Sequence, residues 1–337
     1  MGTGDLILDR KAQGEFVSSL IRQFKYKRTD FRTIGGFGGF TSLIDLGTFA
    51  LSFNTDNVGT KTLVAEEANR YDTIGIDCIA MCANDAITSG SEPIAMVDYI
   101  QLRNADGETA KQIGTGLNVG AQIAGLTIVG GETAIVPDIV SHIDLSGTTV
   151  GIVQKSQIIS GEKISEGDLL FSLGSSGIHS NGFTTARRVL AANDIHINDK
   201  FPGESKTVAD ELLEPTRIYV REILDLLNIV NLKGLVNITG GGIRNISRVK
   251  DMRYIIDSPV EPQNVFQQIM KLGNLDYPDM YETFNMGTGF VVVTDEDSKR
   301  DLVATLRGKV PVKEIGHVEK GSGIEVPQYG VSFKGYY

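Results

Sequence analysis

The sequence predicts a two-domain α/β (α+β) fold in which each domain is a mixed sheet covered by helices, and three observations carry this expectation. Strand-like and helix-like segments alternate along the chain. The alternation breaks at Lys155–Gly167, a polar stretch with two glycines and no strong periodicity, and restarts beyond it. With 337 residues and 41% hydrophobic content, the chain can bury two cores. The expected domains are 1–155 and 165–337.

In chain order, Thr48–Phe53 and Ile94–Leu102 read as strands, and Thr73–Ser89 and Glu108–Ala124 as helices. His142–Gln154 reads as a long strand, because Ile143, Leu145, Thr149 and Ile152 interleave with smaller or polar residues. The second half opens with a strand at Asp168–Leu173 and a helix over Asn181–Asn193. Helices follow at Pro215–Leu227, Pro262–Leu272 and Glu296–Leu306, with strands at Tyr254–Asp257, Gly289–Val293 and Val312–Val318. The tail from Gly321 to Tyr337 reads as a final strand and a surface turn.

Composition narrows the function. A net charge of −10 argues against nucleic acid as a partner, since phosphate backbones select basic surfaces. No apolar run approaches the roughly 20 residues of a membrane span, and the N-terminus lacks a basic region followed by an apolar core, so the expected location is cytoplasmic. Cys78 and Cys82 are the only cysteines, four apart on an expected helix, and read as reduced core thiols.

Three acids stand in turn-forming sequence at the ends of apolar runs: Asp56 in Asn54-Thr55-Asp56-Asn57-Val58-Gly59-Thr60-Lys61, Asp85 ahead of Gly90, and Glu132 in Gly130-Gly131-Glu132-Thr133. Each alone could be a helix cap or turn residue. Together they suit a hard divalent cation whose coordination is completed by substrate phosphates. The run Gly35-Gly36-Phe37-Gly38-Gly39 could bring backbone amides close to a phosphate, or serve as a flexible entry to the first strand. It is not a Walker loop, because no Lys and hydroxyl follow at the required spacing. Ser175-Ser176-Gly177-Ile178-His179-Ser180-Asn181-Gly182 sits where a strand turns into a helix, a place for free amides and hydroxyls to hold a phosphate, or for Ser180 or Asn181 simply to cap the helix.

The words Asp56–Lys61, Asp72–Asp77 with Ala80–Asp85, Gly130–Ala134, Gly174–Gly182, Pro215–Val220, Thr239-Gly240-Gly241-Gly242 and Thr283–Gly287 resemble the phosphoribosylformylglycinamidine cyclo-ligase (AIR synthetase) family from about Gly35 to about Gly316. The resemblance implies an AIR synthetase-like fold whose N-terminal domains pair in a homodimer. It implies ATP and Mg2+, and an ATP-dependent ring closure of formylglycinamidine ribonucleotide to aminoimidazole ribonucleotide. Gly35, Gly36, Gly38, Gly39, Asp56, Lys61 and Asp85 become the expected ATP-binding residues, with Gly35–Gly39 a flap over the phosphates and Lys61 a phosphate-facing cation. Asp56, Asp85 and Glu132 become the expected metal ligands. Ser176, His179, Ser180, Asn181, Thr239, Gly240 and Gly241 become the expected substrate contacts. Lys61 and His179 are the candidate catalytic side chains, His179 as a substrate contact first and a proton carrier second.

Departures from the family pattern keep a non-catalytic nucleotide-binding paralogue in view. Asn57 stands where the family more often has glycine, Asp5–Gln23 lacks the family's Ala-Gly-Val-Asp word, and Ile135-Val136-Pro137-Asp138 replaces its Glu-Met-Pro. Other members of the superfamily fit less well. Residues 1–77 hold no cysteine for a selenophosphate synthetase, the chain ends Gly335-Tyr336-Tyr337 rather than in the cysteine of hydrogenase-maturation relatives, and Glu132 stands where thiamine-phosphate kinases have Asp.

Overall fold

The computed structural model describes residues 10–35 and 39–336. Helix α1 (Arg10–Ile21) precedes a sheet of six strands, β1 (Thr33–Ile34), β2 (Ser42–Asp45), β3 (Phe49–Asn57), β4 (Glu92–Leu102), β5 (Thr127–Ile135) and β6 (Asp144–Gln154). Their spatial order is β1-β2-β3-β6-β4-β5, and only β4 and β5 run parallel. A parallel pair needs a crossover, which α4 (Gly107–Ala124) supplies. Its start is set by Asp106, whose carboxylate accepts from the amides of Glu108 and Thr109, and its end by Gly125 at φ 78°.

Between β3 and β4 lie α2 (Lys61–Ala68) and α3 (Ile74–Ile87). Helix α3 is apolar nearly all round and buried accordingly, between the sheet and α4. Glycines make the second contact close. A methyl group on Gly75 would lie 2.3 Å from the Leu117 amide, and one on Gly116 would lie 2.2 Å from the Asp72 carbonyl. Cys78 and Cys82 sit on this helix as buried free thiols.

The second sheet has seven strands: β7 (Leu169–Gly174), β8 (Gly234–Asn237), β9 (Arg253–Ile255), β10 (Thr288–Thr294), β11 (Val312–Glu319), β12 (Gly323–Val326) and β13 (Val331–Phe333). They are ordered β13-β12-β9-β11-β7-β10-β8, with β12 and β9 parallel and the other neighbours antiparallel. Helices α5 (Phe183–Ala192), α6 (Val208–Leu212), α7 (Val220–Leu226), α8 (Asn264–Gly273), α9 (Tyr277–Thr283) and α10 (Lys299–Leu306) complete this half. Strand β10 is buried along its whole length, which is why Phe290–Val293 reads as an unbroken apolar run. Among the described residues no helix is long and apolar enough to cross a membrane.

The expected fold class is the observed one, and several local expectations shift. Asp56 lies inside β3, Asp85 in the last turn of α3, and Gly130-Gly131-Glu132 inside β5, so none of the three acids stands in a loop. Strand β5 was invisible because its two glycines disfavour a strand on their own account. Pairing with β4 supplies the backbone bonds, and Gly131 leaves room for the Asp98 carboxylate where the strands meet, since a methyl group there would lie 1.7 Å from Asp98 Oδ1. The expected helix over Pro215–Leu227 begins only at Val220, because side chains of α3 hold the preceding five residues. Asp77 accepts from the Thr216 amide at 2.7 Å, and Asn84 bonds the Tyr219 amide and the Arg217 carbonyl, each at 2.8 Å. The tail forms two strands, β12 and β13, rather than one.

Candidate active site

Helix α3 is the shared wall of the two halves, and the motif residues gather on it. At its start, the Lys61 ammonium donates to Asp77 Oδ1 at 2.9 Å, to the His179 carbonyl at 3.1 Å and to the Glu214 carbonyl at 2.6 Å. Asp77 Oδ2, also 2.9 Å from the ammonium, is in ionic contact without hydrogen-bond geometry. Both side chains are fully buried. All three ammonium donors are therefore satisfied within the protein, two of them by the second half. Burial pulls the lysine below its ordinary pKa, against the opposing pull of Asp77. Lys61 thus has protein partners in place of the phosphate expected from the sequence.

At the other end of α3, Asp85 accepts from Asn237 Nδ2 at 2.8 Å and is pushed up to about 7, first by burial and then by the charge of Asp56. Asp56, on β3, is likewise raised by burial while its Oδ1 accepts from the Asn57 amide at 2.8 Å. Two desolvated carboxylates, one of them raised further by the charge of the other, have only oxygen to offer and are a suitable donor pair for a hard cation. Glu132 does not join them. Sheet register pairs Asp56 with Gly147, Gly147 with Asp98 and Asp98 with Gly131, all on the face packed against α3. Glu132 pairs with Tyr99 one position along, so its exposed side chain leaves the sheet on the opposite face. Among the described residues no group of three such ligands is placed to hold a metal. The register also brings Asp98 into the Asp56 row, a residue that carries no motif and was missed in the sequence.

The expected substrate loop joins β7 to α5, and its own contacts fix its shape. Ser176 Oγ donates to the Pro215 carbonyl at 2.6 Å, Ser180 Oγ meets Thr216 Oγ1 at 2.8 Å, and Asn285 holds the Gly177 and Ile178 carbonyls. His179 has φ 66°, and its Nε2 accepts from the Ser176 amide at 3.2 Å. Burial first, then the charges of Lys61 and Arg217, push this imidazole down to about 3. A ring held neutral and already bonded within its own loop is a structural acceptor rather than a proton carrier. Neither Ser180 nor Asn181 caps α5. Gly182 occupies that position at φ 87° with no side-chain cap, leaving the helix amides uncapped beside Asn181 and Gly240. The two sites adjoin where Thr60 Oγ1 meets Thr184 Oγ1 at 3.2 Å. Gly35 and Gly39 line a separate-walled cleft of about 550 Å³ with Thr88 and Ser89 from the end of α3, whereas Gly36 and Gly38 lie outside the described residues.

The sequence profile of the N-terminal domain of AIR synthase related proteins matches residues 41–153, and that of the C-terminal domain matches residues 165–327. The chain belongs to the AIR synthase related family. A phosphoribosylformylglycinamidine cyclo-ligase from Thermoplasma volcanium is 65% identical over 99% of this chain and 98% of its own length. One from Methanocaldococcus jannaschii is 43% identical over 93% of this chain and 91% of its own. Among solved structures, a thiamine-monophosphate kinase from Stenotrophomonas maltophilia shares the fold with a TM-score of 0.63 at 18% identity, covering 94% of this chain and 96% of that one. The hydrogenase maturation protein HypE from E. coli does so with a TM-score of 0.60 at 21% identity, covering 84% of each. This family member carries its motif residues on both halves of the chain.

Asp85→Asn retains the oxygen that accepts from Asn237 and removes a buried charge. The folded carboxyl, at about 7, holds a proton that the unfolded one releases near its ordinary 3.8. Asp85 therefore lowers stability progressively as pH rises between those values, and the full cost is present above 7. The variant should stabilise metal-free protein at pH 8 by on the order of 1–3 kcal/mol, seen as a higher melting temperature, and lose this advantage near pH 4. The same variant should bind Mg2+ and nucleotide at least about tenfold more weakly. Calorimetric melting and titration at both pH values check the two effects.

Proposed function

We propose that this protein is an ATP-dependent phosphoribosylformylglycinamidine cyclo-ligase of purine biosynthesis, closing the imidazole ring of aminoimidazole ribonucleotide with release of ADP and phosphate. The observation that carries the reading is the meeting of two different anion-handling features at one junction. A paired-carboxylate pocket, Asp56 with Asp85, lies on one side of it and the uncapped α5 N-terminus on the other, in a chain 65% identical to a cyclo-ligase over nearly its whole length.

In this reading Asp56 and Asp85 hold Mg2+, which when bound neutralises charge on the β and γ phosphates of ATP. Burial and the charge of Asp56 hold the Asp85 carboxyl up to about 7, and a bound cation would favour its ionised form. The α5 amides, with Thr239, Gly240, Gly241 and Asn181 around them, hold the ribose phosphate of formylglycinamidine ribonucleotide. Transfer of the γ-phosphoryl group to the formyl amide oxygen turns a poor leaving group into phosphate, and an internal nitrogen then attacks the activated carbon. The protein contributes mainly position and electrostatics. His179 shapes the loop, and Lys61 ties it to α3. Both cysteines are buried, which disfavours thiol chemistry. The enzyme works in the cytoplasm.

The first sheet offers one face to α3 and α4. Its other face presents Phe49, Leu51, Phe53, Val97, Tyr99, Val150 and Ile152, exposed or half-buried, together with Glu132. Cover by the same face of a second copy gives a homodimer and brings a Glu132 from each chain into a buried setting.

Two measurements check these proposals. Phosphate release from ATP should depend on formylglycinamidine ribonucleotide, and release unaffected by that substrate would remove the cyclo-ligase reading. Light scattering at micromolar concentration should return twice 36.4 kDa, and a particle of 36.4 kDa would remove the dimer.

A further inference from the structure

A cavity of about 240 Å³ lies in the second half of the chain, between α8, α9 and the short 3-10 segment Pro327–Tyr329. Pockets for drug-sized ligands run from roughly 300 to 1,000 Å³, so an occupant here is small. Phe266, Tyr277 and Tyr329 give the cavity three aromatic rings, the two tyrosines stacked with centres 4.1 Å apart and planes 18° apart. Met270 and Met286 add thioethers, and the exposed Glu261 places a carboxylate at the rim. Among the described residues no lysine, arginine or histidine lines the cavity, and Glu261 has no ion-pair partner. Burial first, then the charges of Tyr277 and Glu261, hold the Tyr329 hydroxyl above its ordinary pKa, so the charges felt at this wall are negative. Gln267 Nε2 is engaged by the Pro262 carbonyl at 2.8 Å, and the side-chain oxygen adds an acceptor. Ring faces, thioethers and an unpaired carboxylate in one small cavity suit a cation with an apolar body.

The walls of this cavity are the segments that hold the Ser175–Gly182 loop. Gln263, next to Pro262, donates through Nε2 to the Ser175 carbonyl at 2.9 Å, and its Oε1 accepts from Ser175 Oγ at 3.3 Å. Asn285, next to Met286, holds the Gly177 and Ile178 carbonyls at 2.9 and 3.1 Å. The Gly287 carbonyl accepts from the Ser175 amide at 3.0 Å. Met286 itself sits at φ 49°, a left-handed conformation that a side chain adopts at a cost and that the surrounding contacts maintain. We propose that this cavity binds a small organic ammonium cation, and that occupancy steadies the Glu261–Gln263 and Asn285–Gly287 segments and through them the Ser175–Gly182 loop. A ligand that binds the conformation in which both segments grip the loop favours that conformation. The effect on turnover rests on the reading of this loop as the substrate loop, whereas the cation site does not.

The test uses benzylamine, cationic at neutral pH, and benzyl alcohol, its neutral counterpart of the same shape, titrated calorimetrically into the full chain as wild type, Glu261→Gln and Tyr329→Leu. Wild type should bind benzylamine with a Kd on the order of 1 mM and benzyl alcohol at least about tenfold more weakly. Glu261→Gln, a change at an exposed position, should abolish that preference, and Tyr329→Leu should weaken benzylamine binding in the same direction. No binding at about 10 mM benzylamine overturns the site. So does equal binding of the two compounds by wild type, which would make the cavity merely apolar, and so does an undiminished preference in Glu261→Gln. If Tyr329→Leu does not fold, the Glu261→Gln comparison decides. Saturating benzylamine should lower the KM for formylglycinamidine ribonucleotide at least about twofold in wild type, leave the KM for ATP unchanged and do neither in Glu261→Gln. Calorimetric binding with both KM values unchanged overturns the coupling to the loop. A change confined to the KM for ATP removes the substrate-loop reading, and absence of ring closure removes the cyclo-ligase reading, while the calorimetric comparison decides the cation site in either case.

Discussion

The ion pair between Lys61 and Asp77 is the constraint on which the relation of the two halves depends. Each partner is fully buried, so neither charge has water to fall back on. The ammonium donates to one carboxylate oxygen and two carbonyls, and that same oxygen, Asp77 Oδ1, also accepts from the amide and hydroxyl of Thr216 at 2.7 and 2.6 Å. Two of the lysine's acceptors and both Thr216 donors come from the second half of the chain. A buried pair of this kind need not add net stability over an apolar replacement, but it admits very few alternative geometries. Its consequence is orientation: the loop at His179 and the segment at Glu214–Thr216 are held to α2 and α3 and to nothing softer.

Helix α3 extends that constraint across the molecule. Asp77 near its start, Asn84 one turn before its end and Asp85 beside it each bond a different part of the second half, namely Thr216, the Arg217–Tyr219 segment and Asn237. The helix can make these contacts at fixed spacing because its opposite side is locked to α4 through Gly75 and Gly116, where backbone meets backbone. The carboxylate pocket and the uncapped α5 amides are thus positioned by one rigid element rather than by two loops.

Much of this was legible in the sequence, and the failures have a common cause. The α/β class, the long central strands and α3 with α4 follow from apolar periodicity, and the motif words marked Asp56, Asp85 and the Ser175–Gly182 loop. What could not be read were properties set by register and by distant partners. Glu132 shares a motif with two glycines that read as a turn, and only the pairing of β5 with β4 reveals that it leaves the sheet away from Asp56. Lys61 was expected to face a phosphate, and its enclosure could not be read because its three acceptors lie 16, 118 and 153 residues further along the chain. His179 was expected as a substrate contact first and a proton carrier second, and its bond to Ser176 together with its burial gives it a structural task that no local word announces. Asp98 sits in no recognisable word at all, and its place beside Asp56 depends on cross-strand pairing.

The central claim is that a single buried charge pair couples the integrity of the fold to the geometry of the site, and a double-mutant cycle tests it most directly. Lys61→Met, Asp77→Asn and the double variant would be compared by chemical denaturation and by affinity for Mg2+ with a non-hydrolysable ATP analogue. Each single change leaves a buried group unpaired and should cost about 3–5 kcal/mol, while the double variant should recover at least about 1 kcal/mol relative to the sum. Nucleotide affinity should fall in both single variants although neither residue touches the cleft. Additive stability losses, with nucleotide affinity unchanged throughout, would contradict the account.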